Sequence, residues 1–404
     1  IRTNHHAPRW RIEVMDVVEA LAGRARSVIC IPESEAVIED YDVVGKHLFV
    51  AMLKDVHSIL TQYDFDGTLI REIDLPAIGS VGGFSSEPEG DEFFYSFSSF
   101  ILPPTIYRLD LKDNRIEVFK KVTAKSDASM ITTEQVWYPS FDGTRIPMFL
   151  IHGKDMTLDG DNPTLLYGYG GFGDGIAPSF MPSIIPLIER GGVYAIANIR
   201  GGGEFGEDWH AAGMKEHKQN TLDDFAAAAE WLIKEQYTRT ARLAISGGSN
   251  GGLLTMATIT QRPTLVRAAI ANVPVTDMAR YHLFHGGRHW IPEYGNPEDP
   301  DMLAYLLGYS PYHNIRDGEH YPAVFITTSD DDDRVHPMHA YKMVARLQAA
   351  TASSNPILLR VEPKAGHHGA TAISKKVEQL ADMWSFVFDQ LNVVHHVIAK
   401  APPT

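Results

Sequence analysis

The sequence contains a single cysteine, Cys30, in 404 residues. No intrachain disulfide and no thiolate metal cage can form from it, so nothing calls for an oxidising compartment, and a cytoplasmic protein is expected. Basic residues are scarce: 36 Lys and Arg stand against 51 Asp and Glu, a formal charge of −15. Affinity for DNA or RNA phosphates is built from Lys and Arg, so nucleic acid is not an expected partner. An anionic membrane surface is disfavoured for the same reason. No apolar stretch approaches the roughly eighteen residues that a membrane-spanning helix needs. Low-complexity tracts and fixed-period repeats are missing as well. What remains is 44 % apolar and 22 % charged residues, the composition of a globular protein, which excludes collagen, coiled coil and wholesale disorder. The chain opens Ile-Arg-Thr-Asn-His-His, without an initiator Met or a signal-peptide segment. It reads as processed or as part of something longer.

Two textures follow one another. Residues 1–125 alternate short apolar runs with turn signals. Lys46–Ala51 and Ser58–Tyr63 read as strands, followed by a turn at Asp64-Phe65-Asp66-Gly67; Phe93–Phe97 and Thr105–Leu111 continue the pattern. Closely spaced strands without long helical periods suggest a sandwich, barrel or propeller. Ten to twelve of them would make about three four-stranded blades of a propeller. In residues 126–404 the pattern changes. Gln135–Pro139 and Arg145–His152 form a hairpin, and strands then alternate with helices. Thr164–Tyr169, Val193–Ile199, Leu243–Gly247, Arg267–Val275, Ala323–Ser329 and Ile357–Glu362 read as strands. Helical stripes follow Thr221-Leu222-Asp223-Asp224, Met338 and Val377, the first with its N-cap expected at Thr221. Repeated alternation of this kind means a doubly wound, mostly parallel α/β sheet.

The strongest local signal is Gly247-Gly248-Ser249-Asn250-Gly251, set between the strand Leu243–Gly247 and a helix over Leu253–Gln261. A serine at a sharp strand-to-helix turn needs small neighbours. It gains exposure at the carboxyl end of the sheet, beside a helix N-terminus whose N–H groups can face a developing oxyanion. A serine hydroxyl is a weak nucleophile until a histidine takes its proton and a carboxylate orients that histidine. After Ser249, the carboxyl end of one strand carries Asp330-Asp331-Asp332-Asp333-Arg334. The next strand is followed by Ala365-Gly366-His367-His368-Gly369. This gives the order Ser, Asp, His that an α/β-hydrolase uses.

At these residues the sequence resembles the prolyl oligopeptidase family of serine peptidases. The blocks are Leu166–Phe172 (LYGYGGF), Ala197–Gly203 (ANIRGGG), Gly247–Gly252 (GGSNGG), Asp332–Val335 (DDRV) and Ala365–His367 (AGH), in family order. The resemblance implies an α/β-hydrolase over residues 126–404, preceded over residues 1–125 by about the last three blades of an all-β propeller. It implies cleavage of short peptides on the carboxyl side of proline, with no cofactor and no metal. A companion chain or a missing N-terminal segment would complete the propeller. Carried onto this sequence, the resemblance makes Ser249 the nucleophile, Asp332 the triad acid (with Asp333 as its alternative) and His367 the base. The family usually has glycine where His368 stands, so His368 is the alternative base. The N–H of Asn250 and the hydroxyl of Tyr169 become oxyanion donors. Trp290, Tyr294 and Phe172 become pocket aromatics, Val275 and Val335 the aliphatic lining, and Arg334 the holder of a substrate carbonyl. A proline ring is small, rigid and apolar, and an aromatic wall is its natural host. Glu293 would suit a basic side chain in the pocket, but Trp290 favours proline.

Four rival readings are weighed. Some family members join peptide ends and make cyclic peptides, and no residue here decides between the two outcomes. An esterase on the same fold is disfavoured by the propeller-like segment and by Trp290. A catalytically dead scaffold is disfavoured by the complete Ser, Asp and His set. A metalloprotein is suggested by His336-Pro-Met-His339 and by the pairs His5/His6, His367/His368 and His395/His396, but none has a third partner at metal-ligand spacing.

Overall fold

A computed structural model describes residues 1–24, 26–122, 128–369 and 372–393. The sequence-level division at 125/126 and the pair His395/His396 lie outside the described residues. The chain forms two compact units. The first comprises Ile1–Ser129, Phe172–Pro182 and Gly201–Ala212; the second comprises Met130–Gly171, Ser183–Arg200 and Gly213–Thr404.

The first unit is built on antiparallel sheets. One has three strands, Arg2–Thr3, Arg11–Val14 and Val28–Ile31. Two four-stranded meanders follow, running from Val37–Val44 to Leu69–Ile73 and from Ser80–Ser86 to Arg115–Lys121. The strand His47–Lys54 shows why they stack. Its sequence is apolar from Leu48 to Leu53, and successive side chains point to opposite faces. Phe49 and Ala51 join a core with Phe93, Tyr95 and Phe97 of the following sheet. Leu48, Val50 and Met52 join another core with Ile12 and Ile31 of the preceding one. At this strand the middle sheet is therefore buried on both faces, as a propeller blade is between its neighbours. One short helix, Val17–Leu21, capped by Asp16, interrupts the β pattern. Its five residues are too few to carry a readable helical period.

The second unit holds one eight-stranded sheet. In spatial order its strands are Ile131–Pro139, Arg145–Gly153, Val193–Ala197, Thr164–Gly168, Leu243–Gly248, Ala268–Asn272, Ala323–Ser329 and Ile357–Glu362. The first two pair antiparallel, and the last six run parallel. From Thr164–Gly168 the chain moves to one side, to Val193–Ala197. It then crosses back to Leu243–Gly248 on the other side. That reversal opens a crevice at the carboxyl ends of Thr164–Gly168 and Leu243–Gly248, where doubly wound sheets place their sites. The fold is an α/β-hydrolase sheet preceded by propeller sheets.

The helix expected to cap at Thr221 begins earlier, spanning Lys218–Lys234. Thr221 sits inside it and donates its hydroxyl to the carbonyls of Arg200 and Gly213. Asp224 is turned inward and fully buried. Its Oδ2 accepts from the Arg200 N–H at 3.0 Å and from Nε at 2.9 Å, and its Oδ1 accepts from Nη2 at 2.6 Å. The Arg200 Nη1 reaches Asp142, in the hairpin turn, at 2.6 Å. A carboxylate that looks like a first-turn charge in the sequence is thus the counter-ion of a buried guanidinium. Removing one partner of such a pair leaves an uncompensated charge. Asp224→Ala should lower unfolding free energy by about 3–5 kcal/mol in urea denaturation. The exposed Asp161, paired with Arg239 at 2.6 Å, provides the contrast. Asp161→Ala should cost under about 1 kcal/mol.

Candidate active site

Ser249 stands between the end of a strand and the start of the helix Asn250–Gln261, with φ +56° and ψ −115°. Few residues other than glycine adopt that conformation, and it costs about 1–3 kcal/mol. The turn is fixed by close backbone approach. A Cβ on Gly247 would lie 2.2 Å from the carbonyl oxygen of Gly251, and one on Gly251 would lie 2.6 Å from that of Gly168. Gly248 differs, because its nearest neighbour would be 3.7 Å away. The glycines flanking the pattern are required by space, and the one before the serine is not.

Asn250 opens the helix, so its N–H is among those without an intrahelical acceptor. Its buried side chain bridges two other residues. Nδ2 donates to the carbonyl of Tyr169 at 2.6 Å, and Oδ1 accepts from the hydroxyl of Tyr294 at 3.0 Å. The neighbouring carbonyl, of Gly170, accepts from Lys218 Nζ at 2.6 Å. Lys218 is buried, 5.7 Å above the Tyr294 ring. Burial pulls its pKa down to about 8, against the charge of buried Glu293, which raises it. This lysine carries no local signal, because an isolated Lys before a helical stripe reads as a solvated residue.

Asp332 follows the strand Ala323–Ser329 and is buried. One carboxylate oxygen, Oδ1, accepts the N–H groups of Arg334 at 3.0 Å and Val335 at 2.9 Å. The other accepts His367 Nδ1 at 2.8 Å. Burial pushes this carboxyl up, but the bond from His367 and the two backbone N–H groups outweigh it, and the group lies below the usual carboxylate range. Gly366 and Gly369 bridge to form a tight turn that carries the two histidines at its tip. The ring that meets Asp332 is that of His367, while His368 is exposed, as are Asp333 and Arg334.

Trp290, Tyr281 and Tyr294 form an aromatic cluster. Trp290 stacks on Tyr281 at 6.3 Å and meets Tyr294 edge-on at 6.4 Å. Val275 and Val335 are buried. Phe172 belongs to the first unit, where it lines a cavity of about 500 Å³ with Arg2, Trp10, Leu53 and His210. Its φ is +60°. Tyr281 was missed because aromatics spaced along short helical turns carry no clear period. His339 of the histidine-rich stretch is an internal acceptor: its Nδ1 receives the N–H groups of Thr276 and Asp277. Burial holds it neutral, pulling its pKa down to about 3. Among the described residues, no group of three or more His, Cys, Asp or Glu side chains could hold a metal ion. No described helix is long and apolar enough to cross a membrane.

Comparison with known proteins gives two family matches: the prolyl oligopeptidase family over residues 178–394, and the prolyl oligopeptidase N-terminal beta-propeller domain over residues 1–122. A prolyl endopeptidase of Elizabethkingia miricola is 44 % identical over 350 residues, 86 % of this chain and 50 % of the relative. A solved structure from an analysis of two prolyl endopeptidases superposes with a TM-score of 0.93 at 44 % identity, covering 97 % of this chain and 58 % of that one. Prolyl oligopeptidase B of Galerina marginata, solved bound to a 35mer hydrolysis and macrocyclization substrate, gives 0.92 at 34 % identity, covering 97 % of this chain and 56 % of that one. The chain spans about half the length of the curated relatives it matches.

The spacing at the elbow generates a direct test. Gly251→Ala drives a methyl group into the Gly168 carbonyl and should cost about 1–3 kcal/mol, the range for overpacking. Gly248→Ala should change stability by less than about 0.5 kcal/mol. Thermal melting of the two variants side by side checks the contrast.

Proposed function

This chain belongs to the prolyl oligopeptidase family, and from that membership together with the His367–Asp332 pair we propose that it is part of a serine peptidase that cleaves short peptides after proline. The observation that carries the proposal is the bond from His367 Nδ1 to the buried, ionised Asp332. It follows parallel strands whose carboxyl ends also carry the strained Ser249. A histidine held this way has its Nδ1 proton fixed on the carboxylate, leaving Nε2 as the acceptor. Ser249 Oγ attacks the carbonyl carbon of the prolyl residue, and its proton passes to His367 Nε2. The Asn250 N–H and the Tyr169 hydroxyl receive the oxyanion. Collapse expels the amine with the proton from His367, and the acyl-enzyme forms on Ser249. Water, deprotonated by the same ring, then releases the acid.

Specificity in this reading comes from a wall, since the proline nitrogen in the peptide carries no N–H to recognise. Trp290 supplies the wall, with Tyr294, Val275 and Val335 behind it, and Arg334 holds a substrate carbonyl. The single cysteine keeps a reducing, cytoplasmic setting as part of the proposal. A second outcome at the same acyl-enzyme has support from the Galerina relative, whose substrate is described for both hydrolysis and macrocyclization. There an amine of the peptide replaces water. The mass of the product, linear or cyclic, separates the two.

Ser249→Ala should abolish labelling by a serine-phosphonylating probe and lower turnover on the order of a million-fold, with the fold intact. His367→Ala should match it, whereas His368→Ala should keep most activity. Labelling of the alanine variant at the same site, or equal losses at the two histidines, would overturn the assignment. Trp290→Ala should weaken a proline peptide at least about tenfold more than a small activated ester, because the ring fills the pocket and takes no part in the attack. Equal losses on both substrates would make Trp290 a core residue instead.

A further inference from the structure

Two consecutive carbonyls just beyond the strand Thr164–Gly168 are each held by a buried donor. Tyr169 is held by Asn250 Nδ2 and Gly170 by Lys218 Nζ, both at 2.6 Å. We propose that Lys218 is a positioning residue for the Tyr169 phenol: by fixing the Gly170 carbonyl from the first turn of its helix, it fixes the backbone from which the phenol projects. The inference rests on the reading of Tyr169 as an oxyanion donor.

Three observations lead to it. First, lysine is almost never fully buried without a purpose for its charge, and Lys218 is 1 % exposed. Its side-chain hydrogen bond is to a main-chain oxygen beside the site. An ammonium bonded to a carbonyl is charge-assisted and about twice as strong as a neutral bond. Second, Gly170 is gripped from its other side. At φ +61°, a Cβ there would lie 2.4 Å from Thr221 Cγ2, so the same helix touches Gly170 through both Lys218 and Thr221. Third, the surrounding groups join the two carbonyls into one assembly. Tyr294 lies under the Lys218 ammonium and bonds the Asn250 amide that holds Tyr169. An oxyanion donor must stand within about 0.5 Å of its productive place. A tyrosine on a glycine-rich segment reaches that precision only if its backbone is held.

The test is a double-mutant cycle on the full chain with a proline reporter peptide. Lys218→Met keeps the packed stem and removes the N–H donors. It should lower kcat about ten- to a hundredfold, with KM within about twofold. In a Tyr169→Phe background, which lacks the hydroxyl, the same substitution should cost less than about twofold more. Equal losses in both backgrounds, or an unchanged kcat in the single variant, would overturn the proposal. Should Lys218→Met melt below the assay temperature, Lys218→Gln enters the same cycle, and coupling to Tyr169→Phe is again the expected result. Failure of the underlying reading looks different. In that case Tyr169→Phe alone leaves kcat unchanged, or the phosphonylating probe leaves Ser249 unlabelled.

Discussion

The site depends on one close approach: the carbonyl oxygen of Gly168 sits where a side chain on Gly251 would begin. This contact brings the end of one central strand against the first turn of the helix that follows its neighbour. It sets the distance across which Asn250 reaches the Tyr169 carbonyl, and it leaves Ser249 no ordinary conformation to adopt. The same packing brings the helix of Lys218 close enough to reach Gly170. A larger residue at Gly251 would push these elements apart, at the cost of overpacking.

Around that contact, carboxylates of one kind take different roles according to how their oxygens are occupied. Asp332 gives one oxygen to two backbone N–H groups and the other to a single imidazole nitrogen, so its partner keeps a second nitrogen for other chemistry. Asp224 gives both oxygens to one guanidinium and is wholly occupied in joining a helix, a strand end and a hairpin turn. Asp277, also buried, is shared among Lys342, Arg280 and His313. An aspartate that holds one nitrogen of an imidazole differs from one that ties a fold in the partner it meets, and that partner is contributed from elsewhere in the chain.

This is also where reading the sequence reached its limit. The elbow was legible because its glycines and flanking elements are local, and the parallel sheet was legible because its strands are nearly continuous apolar runs. Strand ends that the periodicity locates give the order serine, aspartate, histidine, whereas the choice of Asp332 among Asp330–Asp333 and of His367 over His368 rests on the family resemblance. The helix start at Lys218 was not legible. Thr221-Leu222-Asp223-Asp224 has the composition of a cap, but the pull of Arg200 on Asp224 comes from a residue 24 positions earlier. Lys218 itself was invisible for the same reason, since nothing beside it in the sequence announces a carbonyl to bind. Between residues 276 and 299 the chain folds in short turns, so Tyr281, which joins Trp290 and Tyr294 in one aromatic cluster, carries no period that the sequence could show. Phe172 lies in a family-like block, yet its segment associates with the first unit, a grouping that only tertiary contacts reveal.

The φ of +56° at Ser249 has a consequence for the history of the chain. Glycine would occupy that position without strain, and substituting it would make the protein more stable while removing the hydroxyl. Drift toward thermal robustness and retention of the nucleophile proposed at Ser249 therefore pull in opposite directions at this one codon. A lineage released from the need for that hydroxyl would be expected to relax to glycine there, while the surrounding glycines, held by space alone, stayed in place.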